Sequence, residues 1–341
     1  WLRAAGDALY AGTSDVGLAR QPGFVLSRDG GATWGATNMG EGVWPSDVLR
    51  VGRRTYVASH AGVFVSEDDG VSWRNVSRGL SGMGLDSIAA AGERVYVGSN
   101  AGVHASEDGG RTWRRTSLYR HTPVLAASGQ TVYAATSSRG IFRSDDAGHT
   151  WREVNDGVPI EDNGERMYFP STPREILLTP SHIWVAYYHG AYLRSADGES
   201  WEPPSGPTLE SGFPYFPSGN GPLSIGEDGG VLYVNAHNFT TRSFDGGETW
   251  EQLWGAGSVR GSDMHTFDGH LYIVGERGVF RWDEGSRHWL DASQGLPLGD
   301  ESNPNDSDRF AGTRFASLGK SLYVGSYLHG IHRLYAGTNE W

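Results

Sequence analysis

The sequence predicts an all-β fold in which eight four-stranded blades close into a single β-propeller. Two patterns carry this prediction: a turn block that recurs along the 341-residue chain, and a short apolar run that precedes each copy. Each pattern occurs eight times, so the repeat averages about 43 residues, the length of one propeller blade. The 50 glycines indicate many tight turns. Seven blades is the alternative, if one copy packs outside the ring.

The turn block has the form Ser-x-Asp-x-Gly-x-Ser/Thr-Trp, and we call it the Ser-Asp block. Complete copies begin at Ser27, Ser66, Ser106, Ser144 and Ser243, the copy at Ser195 is one residue shorter, and degenerate copies end at Trp289 and Trp341. The Asp side chain is expected to accept N–H bonds across a hairpin turn, and the Gly to supply a backbone conformation with positive φ. The Trp is expected to pack between neighbouring blades, where burial removes about 150–250 Å² from water.

The apolar runs predict the strands that these turns connect. In the third repeat, the first strand is predicted at Ser87–Ala91, the second at Arg94–Gly98 and the third at Gly102–Ser106, with the fourth starting at Thr112. The first repeat begins on a first strand and the last ends on a fourth strand. The ring is therefore predicted to close without a blade shared between the chain ends.

The Ser-Asp blocks match the Asp-box, or BNR repeat, and the chain resembles the Asp-box β-propellers along residues 1–341. That group includes sialidases, xyloglucan hydrolases, photosystem II assembly factors and sortilin-like receptors. The resemblance implies one propeller domain, but it does not choose among enzyme, assembly factor and receptor. Sialidases carry an Arg-Ile-Pro motif near their start, and Trp1-Leu-Arg3 lacks it. Sialidase activity is therefore disfavoured.

Composition excludes several classes of partner. The net charge of −12 argues against general nucleic-acid binding and against attachment to anionic lipid. No apolar stretch is long enough to span a membrane. The chain has no cysteine, so disulfides and thiolate chemistry are absent. We expect a secreted or periplasmic protein whose signal segment is not in this chain; the oligomeric state is not indicated.

The predicted ligand site lies on the face opposite the Ser-Asp blocks. The resemblance implies that the connections between blades and the turns between second and third strands meet there, and we call it the loop face. Long connections are predicted at Asn155–Arg174, Glu202–Pro222 and Asp291–Arg314, and a long turn at Thr13–Gly23. Trp44 is a candidate aromatic platform. The ligand-binding candidates are His60, Tyr119, Arg120, His121, Arg139, Arg166, Tyr168, His189, His237, Arg260, Asp263, His265, Arg277 and His329.

These residue types suit a polar, anionic ligand such as an acidic sugar, because Arg and His pair with carboxylates and Tyr stacks on sugar rings. No cofactor is required. Histidines from several blades facing one channel could also hold a divalent metal ion, and the sequence leaves this alternative open.

Two functions remain. The first is a carbohydrate-active enzyme, either a glycoside hydrolase or a polysaccharide lyase, acting in the central funnel. A hydrolase needs two carboxyl groups at a set separation, and a lyase would use Tyr or His as base with Arg neutralising the uronate. The carboxyl candidates are Glu161, Asp162, Glu165, Glu210, Asp263, Glu276, Asp300 and Glu301. The alternative is a non-catalytic binding or assembly-scaffold propeller that recognises a protein or glycan.

Overall fold

Eight antiparallel sheets form a ring in the computed structural model of the chain. It describes residues 2–12, 23–40, 43–80, 82–158, 161–162, 167–168, 172–187, 192–203, 222–236, 239–253, 261–275, 278–298, 312–326, 329–338 and 340–341. These residues contain strands and turns but no helix. The predicted eight-bladed, all-β propeller is confirmed.

The first four blades each contain four strands in sequence order. They are, in turn, β1 (Leu2–Ala5), β2 (Ala8–Gly12), β3 (Phe24–Ser27) and β4 (Gly35–Ala36); β5 (Pro45–Val51), β6 (Arg54–Ser59), β7 (Gly62–Ser66) and β8 (Arg74–Asn75); β9 (Leu85–Ala91), β10 (Arg94–Ser99), β11 (Gly102–Ser106) and β12 (Arg114–Arg115); β13 (Val124–Ser128), β14 (Thr131–Thr136), β15 (Gly140–Ser144) and β16 (Arg152–Glu153).

The second half of the ring has the same order, with two shortened blades. A two-stranded hairpin, β17 (Glu161–Asp162) and β18 (Met167–Tyr168), lies in the predicted long connection after blade 4. Blades 5 to 8 are β19 (Pro173–Leu178), β20 (Ile183–Tyr187) and β21 (Tyr192–Ser195); β22 (Pro222–Asp228), β23 (Val231–Ala236), β24 (Phe239–Ser243) and β25 (Glu251–Leu253); β26 (Gly261–Phe267), β27 (His270–Gly275), β28 (Gly278–Asp283) and β29 (His288–Asp291); β30 (Gly312–Leu318), β31 (Ser321–Ser326) and β32 (Gly330–Tyr335). In blade 5 the outer strand is reduced to one bridge, between Arg194 and Glu202.

The ring closes between blades 8 and 1, which come from the two ends of the described chain. The first strand of each blade contacts the first strand of the next, and β30 contacts β1. All strands of blade 1 are N-terminal and all those of blade 8 are C-terminal, so no blade is shared. The Tyr323 hydroxyl donates to the Gly30 carbonyl at 2.7 Å, and Arg333 donates to the same oxygen.

Strand limits in the third blade lie within two residues of the prediction. The first strand begins at Leu85 rather than Ser87, the second ends at Ser99 rather than Gly98, and the third agrees. The predicted fourth strand starts at Thr112, but β12 starts two residues later. The reason is local: Thr112 is still held in the turn, where its main-chain N–H donates to Asp108 Oδ1 at 2.9 Å. The side-chain hydroxyl of Thr112 donates to the other carboxylate oxygen at 2.6 Å.

The same Asp-centred turn recurs in all six blocks that keep both the Ser and the Asp. In the second copy, Asp68 Oδ1 accepts bonds from the Ser66 hydroxyl at 2.8 Å and the Ser72 N–H at 2.9 Å. Ser66 Oγ accepts the Gly70 N–H at 2.7 Å. The predicted role of the Asp as an acceptor across the turn is therefore confirmed. These bonds favour the charged carboxylate and lower the pKa of Asp68 to about 2.

A glycine–aromatic contact joins neighbouring blades at these turns. In blade 4, Gly148 has a φ of +82°, and a Cβ on it would lie 2.9 Å from the ring of Tyr96 in blade 3. Gly31 of blade 1 faces Tyr323 of blade 8 in the same way, at 2.8 Å. Both glycines are required, since any side chain there would strain the backbone and collide with the ring.

The Trp that ends each block packs against the preceding blade, although to different depths. Trp113 is 7 % exposed, joins a core cluster with Val76 and Leu80 of blade 2, and donates from Nε1 to the Val76 carbonyl at 2.7 Å. Trp201 makes the equivalent bond to Val154 at 2.8 Å. The Trp residues of the first, fourth, sixth and eighth blocks are only half-buried. The core of the protein is therefore a series of clusters between blades.

Replacing Trp113 by Ala is expected to lower the free energy of unfolding by about 3–5 kcal/mol, because it leaves a cavity between blades 2 and 3. Denaturant unfolding of the purified variant measures this. The matched control is Trp44→Ala, since Trp44 is 40 % exposed and its loss should cost less than about 1 kcal/mol. Equal losses for the two variants would contradict the interblade role of the block.

Acid is expected to destabilise the blocks at a pH set by their carboxylates. An Asp in the unfolded chain has a pKa of about 3.9, whereas hydrogen bonds hold that of Asp68 at about 2. The stabilisation is thus present above pH 4 and is lost as the pH falls towards 2.

The melting temperature of Asp68→Asn should lie below that of the parent at pH 6, and the gap should shrink between pH 4 and 2. Asp7→Asn, in an exposed turn, serves as the control. A gap independent of pH would show that the charge of Asp68 is irrelevant.

Candidate functional site

The loop face follows from the strand directions. Each first strand begins, and each second strand ends, on the side opposite the Ser-Asp turns, so the connections between blades and the turns after second strands lie together. Of the predicted site residues, His60, Tyr119, Arg120, His121, Arg139, Asp263, His265 and His329 have described side chains. Arg166, His189, His237, Arg260 and Arg277 lie outside the described residues, and only the strand position of Tyr168, in β18, is described.

A cationic and aromatic cluster lies on the connection from blade 3 to blade 4. The Tyr119 ring is 61 % exposed. The guanidinium carbons of Arg120 and Arg115 lie 5.4 Å and 5.8 Å from the centre of that ring, within the range of a cation–π interaction. Arg115, at the end of β12, was missed by the sequence analysis because it belongs to a strand rather than a loop. We call Arg115, Tyr119 and Arg120 the Arg-Tyr cluster.

His121 lies in the same connection and contacts two other blade segments. Its Nε2 is 3.1 Å from Asp86 Oδ2 in blade 3, and its Nδ1 is 3.1 Å from Ser137 Oγ in blade 4. The Ser137 N–H also donates to the His121 carbonyl at 3.1 Å. His121 is therefore fixed through both its main chain and its ring, while remaining accessible, with a side chain 44 % exposed.

His60 and Arg139 occupy equivalent turns after second strands, in blades 2 and 4. The exposed His60 accepts the main-chain N–H of Trp44 through Nδ1 at 3.4 Å, and the Trp44 side chain is exposed as well. Arg139 lies 3.8 Å from Glu153, and its carbonyl accepts the Asn155 side-chain amide at 2.9 Å. Arg139 shares a turn with Ser137, so it extends the positive charge near His121.

Asp263 and His265 lie on the first strand of blade 7 and face blade 8. Asp263 is 8 % exposed; its Oδ2 accepts the Phe315 N–H at 2.8 Å and its Oδ1 is 3.9 Å from Arg314. His265 Nε2 is 2.8 Å from the Ser317 hydroxyl. Burial lowers the pKa of His265, although the charge of Asp263 opposes that shift. Both residues thus link two blades in the channel wall.

His329 follows the second strand of blade 8. Its carbonyl accepts a bond from His332 Nε2 at 3.1 Å, and burial lowers the pKa of His332. In the described residues, no group of three or more His, Asp or Glu side chains could hold a metal ion. His189 and His237, on which the alternative of a channel metal rests, are not described, so that site stays a prediction.

Two further carboxyl groups face the channel and were missed by the sequence analysis. Asp47 Oδ2 accepts the Ile88 N–H of the next blade at 3.2 Å, and Glu175 Oε2 accepts the Ile225 N–H at 3.3 Å. Burial raises the pKa of both, against the attraction of nearby arginines. Aligning the repeats would have found them, because Asp47, Glu175 and Asp263 each follow an irregularity at the start of a first strand.

Comparisons with known proteins agree on the fold and on little else. The model of the DUF6242 beta propeller domain matches residues 46–177, which is less than half of the chain. No curated protein matches the sequence. Membership of the Asp-box family, and any one of the four kinds of protein named from it, therefore stays a prediction.

Three solved structures illustrate the likeness. The extracellular domain of a putative one component system from B. thetaiotaomicron shares 14% identity at a TM-score of 0.59, with 87% of this chain and 39% of that chain covered. YCF48 bound to D1 peptide shares 15% identity at a TM-score of 0.53, with 86% and 97% covered. An ancestral GH74 enzyme shares 15% identity at a TM-score of 0.55, with 87% and 45% covered. Such identities show the fold alone, and the chain spans under half of the first and third proteins.

The portion of the chain that the structure describes includes no helix with the length and apolarity needed to cross a bilayer.

Glu175→Gln is expected to become more stabilising as the pH rises. Burial raises the pKa of Glu175, so in the parent protein the unfolded carboxyl ionises first and stability falls as the pH rises past the unfolded value near 4.3. The neutral amide of the variant does not ionise, so its stability does not fall in this way. The difference between the melting temperatures of the two proteins is measured from pH 4 to 8, with the exposed Glu93→Gln as control. A constant difference across that range would contradict the burial of the charge.

Proposed function

We propose that this propeller is a recognition module whose loop face binds a carboxylate-bearing ligand, with an acidic peptide segment as the leading class. The observation that carries the proposal is the Arg-Tyr cluster, an exposed ring flanked by two guanidinium groups. Arginine presents a planar fork of donors that matches a carboxylate, and an exposed Tyr adds a large contact area at a small entropic cost.

The charge of the whole chain makes this cluster distinctive. The protein carries a net charge of −12, so an acidic ligand is repelled from most of the surface. Arg115, Arg120 and Arg139 lie on one sector of the loop face, and within the described residues only Arg139 of these three has an ion-pair partner, Glu153. Attraction confined to one sector favours a defined docking position over nonspecific adhesion.

Two observations favour binding over catalysis. The channel carboxylates Asp47, Glu175 and Asp263 each accept a main-chain N–H of the next blade, which gives them a role in joining the ring. In addition, YCF48 bound to D1 peptide is matched over 97% of its length, whereas the GH74 enzyme is matched over 45%. The first comparison supports a propeller of this size as a complete peptide-binding unit.

A carbohydrate-active enzyme remains the second candidate, as a glycoside hydrolase or a lyase acting on an acidic glycan. The observation in its favour is the raised pKa of Asp47 and Glu175, since a general acid must stay protonated near neutral pH. Assays for new reducing ends and for unsaturated products across a polysaccharide panel test it. Turnover that Glu175→Gln abolishes would support this candidate over the binding module.

The binding proposal predicts a local and salt-sensitive effect of the arginines. Arg115→Ala and Arg120→Ala should each weaken binding of an acidic peptide by about tenfold, which corresponds to about 1.4 kcal/mol. Isothermal titration against an Asp/Glu-rich peptide, its Asn/Gln counterpart and an acidic oligosaccharide measures this and separates peptide from glycan.

The matched control is Arg111→Ala, an exposed arginine in the Ser-Asp turn of blade 3, on the opposite face. Equal losses in all three arginine variants would indicate nonspecific attraction. Binding of neither acidic ligand would overturn the proposal.

A further inference from the structure

Ser137, His121 and Asp86 form a continuous hydrogen-bonded chain on the loop face, and we propose that it is a nucleophilic site that hydrolyses carboxylic esters. The two links are Ser137 Oγ to His121 Nδ1 and His121 Nε2 to Asp86 Oδ2, each of 3.1 Å. The proposal does not depend on the peptide-binding function, because the nucleophile, the base and the positioning carboxylate all lie outside the Arg-Tyr cluster.

The chemistry of the three groups fixes where the protons lie. An ionised carboxylate only accepts, so His121 must donate to Asp86 from Nε2. In the neutral ring, Nδ1 then carries the lone pair and accepts the Ser137 hydroxyl proton. Ser137 is thus placed as the nucleophile, His121 as the general base and Asp86 as the carboxylate that orients the base. Compared with the serine proteases, the two nitrogens of the imidazole ring exchange roles.

The backbone holds each member in place. Asp86 is the extra residue at an irregularity of β9, where Gly98 pairs with Ser87 and Ser99 with Leu85, so its side chain leaves the regular ladder. The Ser137 N–H donates to the His121 carbonyl, and the neighbouring Thr122 N–H donates to the Ser99 carbonyl at 3.0 Å. Three segments from two blades are thus tied together by main-chain bonds as well as by side chains.

The site is open to a substrate. The side chains of His121 and Asp86 are 44 % and 39 % exposed, and Ser137 is partly exposed at the end of a strand. Among the described residues, none accepts the N–H of Ser138, the residue after the nucleophile. That position supplies an oxyanion donor in other hydrolases. Arg120, adjacent to His121, favours an ester that carries an anionic group.

The reaction balances without a cofactor. Ser137 Oγ attacks the ester carbonyl carbon while its proton passes to His121 Nδ1. The tetrahedral intermediate expels the alcohol, which takes that proton, and leaves an acyl-Ser137. Water then attacks the acyl carbon, giving one proton to Nδ1; the serine oxygen leaves, recovers the proton and frees the carboxylic acid. Asp86 acts as a positioning residue that keeps the ring in the required tautomer.

The test uses the whole chain with 4-nitrophenyl acetate and with a fluorophosphonate that labels activated serines. We expect saturable hydrolysis, and a phosphonate adduct on the peptide that contains Ser137. Ser137→Ala and His121→Gln should lower kcat at least about tenfold. Asp86→Asn should lower kcat with KM nearly unchanged and alter the pH profile, which a merely structural role would not do.

Two controls separate this site from background reactivity. Ser117→Ala removes an exposed serine of the same connection, and His149→Ala removes an exposed histidine of a Ser-Asp turn; both should leave the rate unchanged. The melting temperature of each variant shows whether it is still folded. The phosphonate adduct is measured on the parent chain, so that result does not depend on the folding of any variant. Hydrolysis that His149→Ala lowers as much as His121→Gln, or an adduct absent from Ser137, would overturn the proposal.

Discussion

The contact between an aromatic ring on one blade and a turn glycine on the next is the constraint on which the ring depends. The ring comes from the second strand, as in Tyr96 or Tyr323, and the glycine from the Ser-Asp block, as in Gly148 or Gly31. The same arrangement joins blades 2 to 3, 4 to 5 and 5 to 6, where Trp184 replaces the tyrosine; between blades 1 and 2, Gly70 faces Leu26 as well as the Tyr10 hydroxyl. The two repeated sequence motifs are thus the two halves of one interblade contact.

The two interfaces without this contact are the ones whose turn blocks are degenerate. Between blades 6 and 7, the buried Arg242 binds Glu251 of its own blade and Glu284 of the next. Between blades 7 and 8, the Gly337 N–H donates to Asp268 at 2.9 Å, and Trp341 Nε1 donates to the Ala292 carbonyl at 2.6 Å. These charged and main-chain bonds stand in place of the ring–glycine contact, beside the packing of Trp289 and Trp341 against the preceding blade, and they satisfy polar groups buried between the blades.

Because the Ser-Asp turns join the blades on one face of the ring, the side chains of the loop face are available for other contacts. Its side chains come from different blades, so the groups around His121 lie up to 51 residues apart in sequence, from Asp86 to Ser137. The channel wall combines features of both faces, since its side chains join the blades and also carry charge. Its carboxyls bind main-chain N–H groups of the next blade and also meet the charges of Arg3 and Arg314. A rigid ring with a polar, accessible rim suits recognition, and the same rigidity would pre-organise reacting groups.

The sequence by itself determined the blade number, the strand order and the chemistry of the turns, because those depend on contacts that repeat with the period of the chain. Asp68, Gly148 and Trp113 could each be assigned from their place in a block. Tyr119, Arg120 and His121 could be placed on the loop face, but not given partners. Asp86 and Ser137 carry no local signal, since each gains its role from a segment distant in the sequence. Asp47 and Glu175 could be found only by aligning the repeats, and Arg115 lies in a strand rather than a loop. The tertiary structure, which sets how successive blades face each other, brought Asp86 and Ser137 to His121, whereas the contact of Arg115 with Tyr119 depends on the local path of the chain after β12.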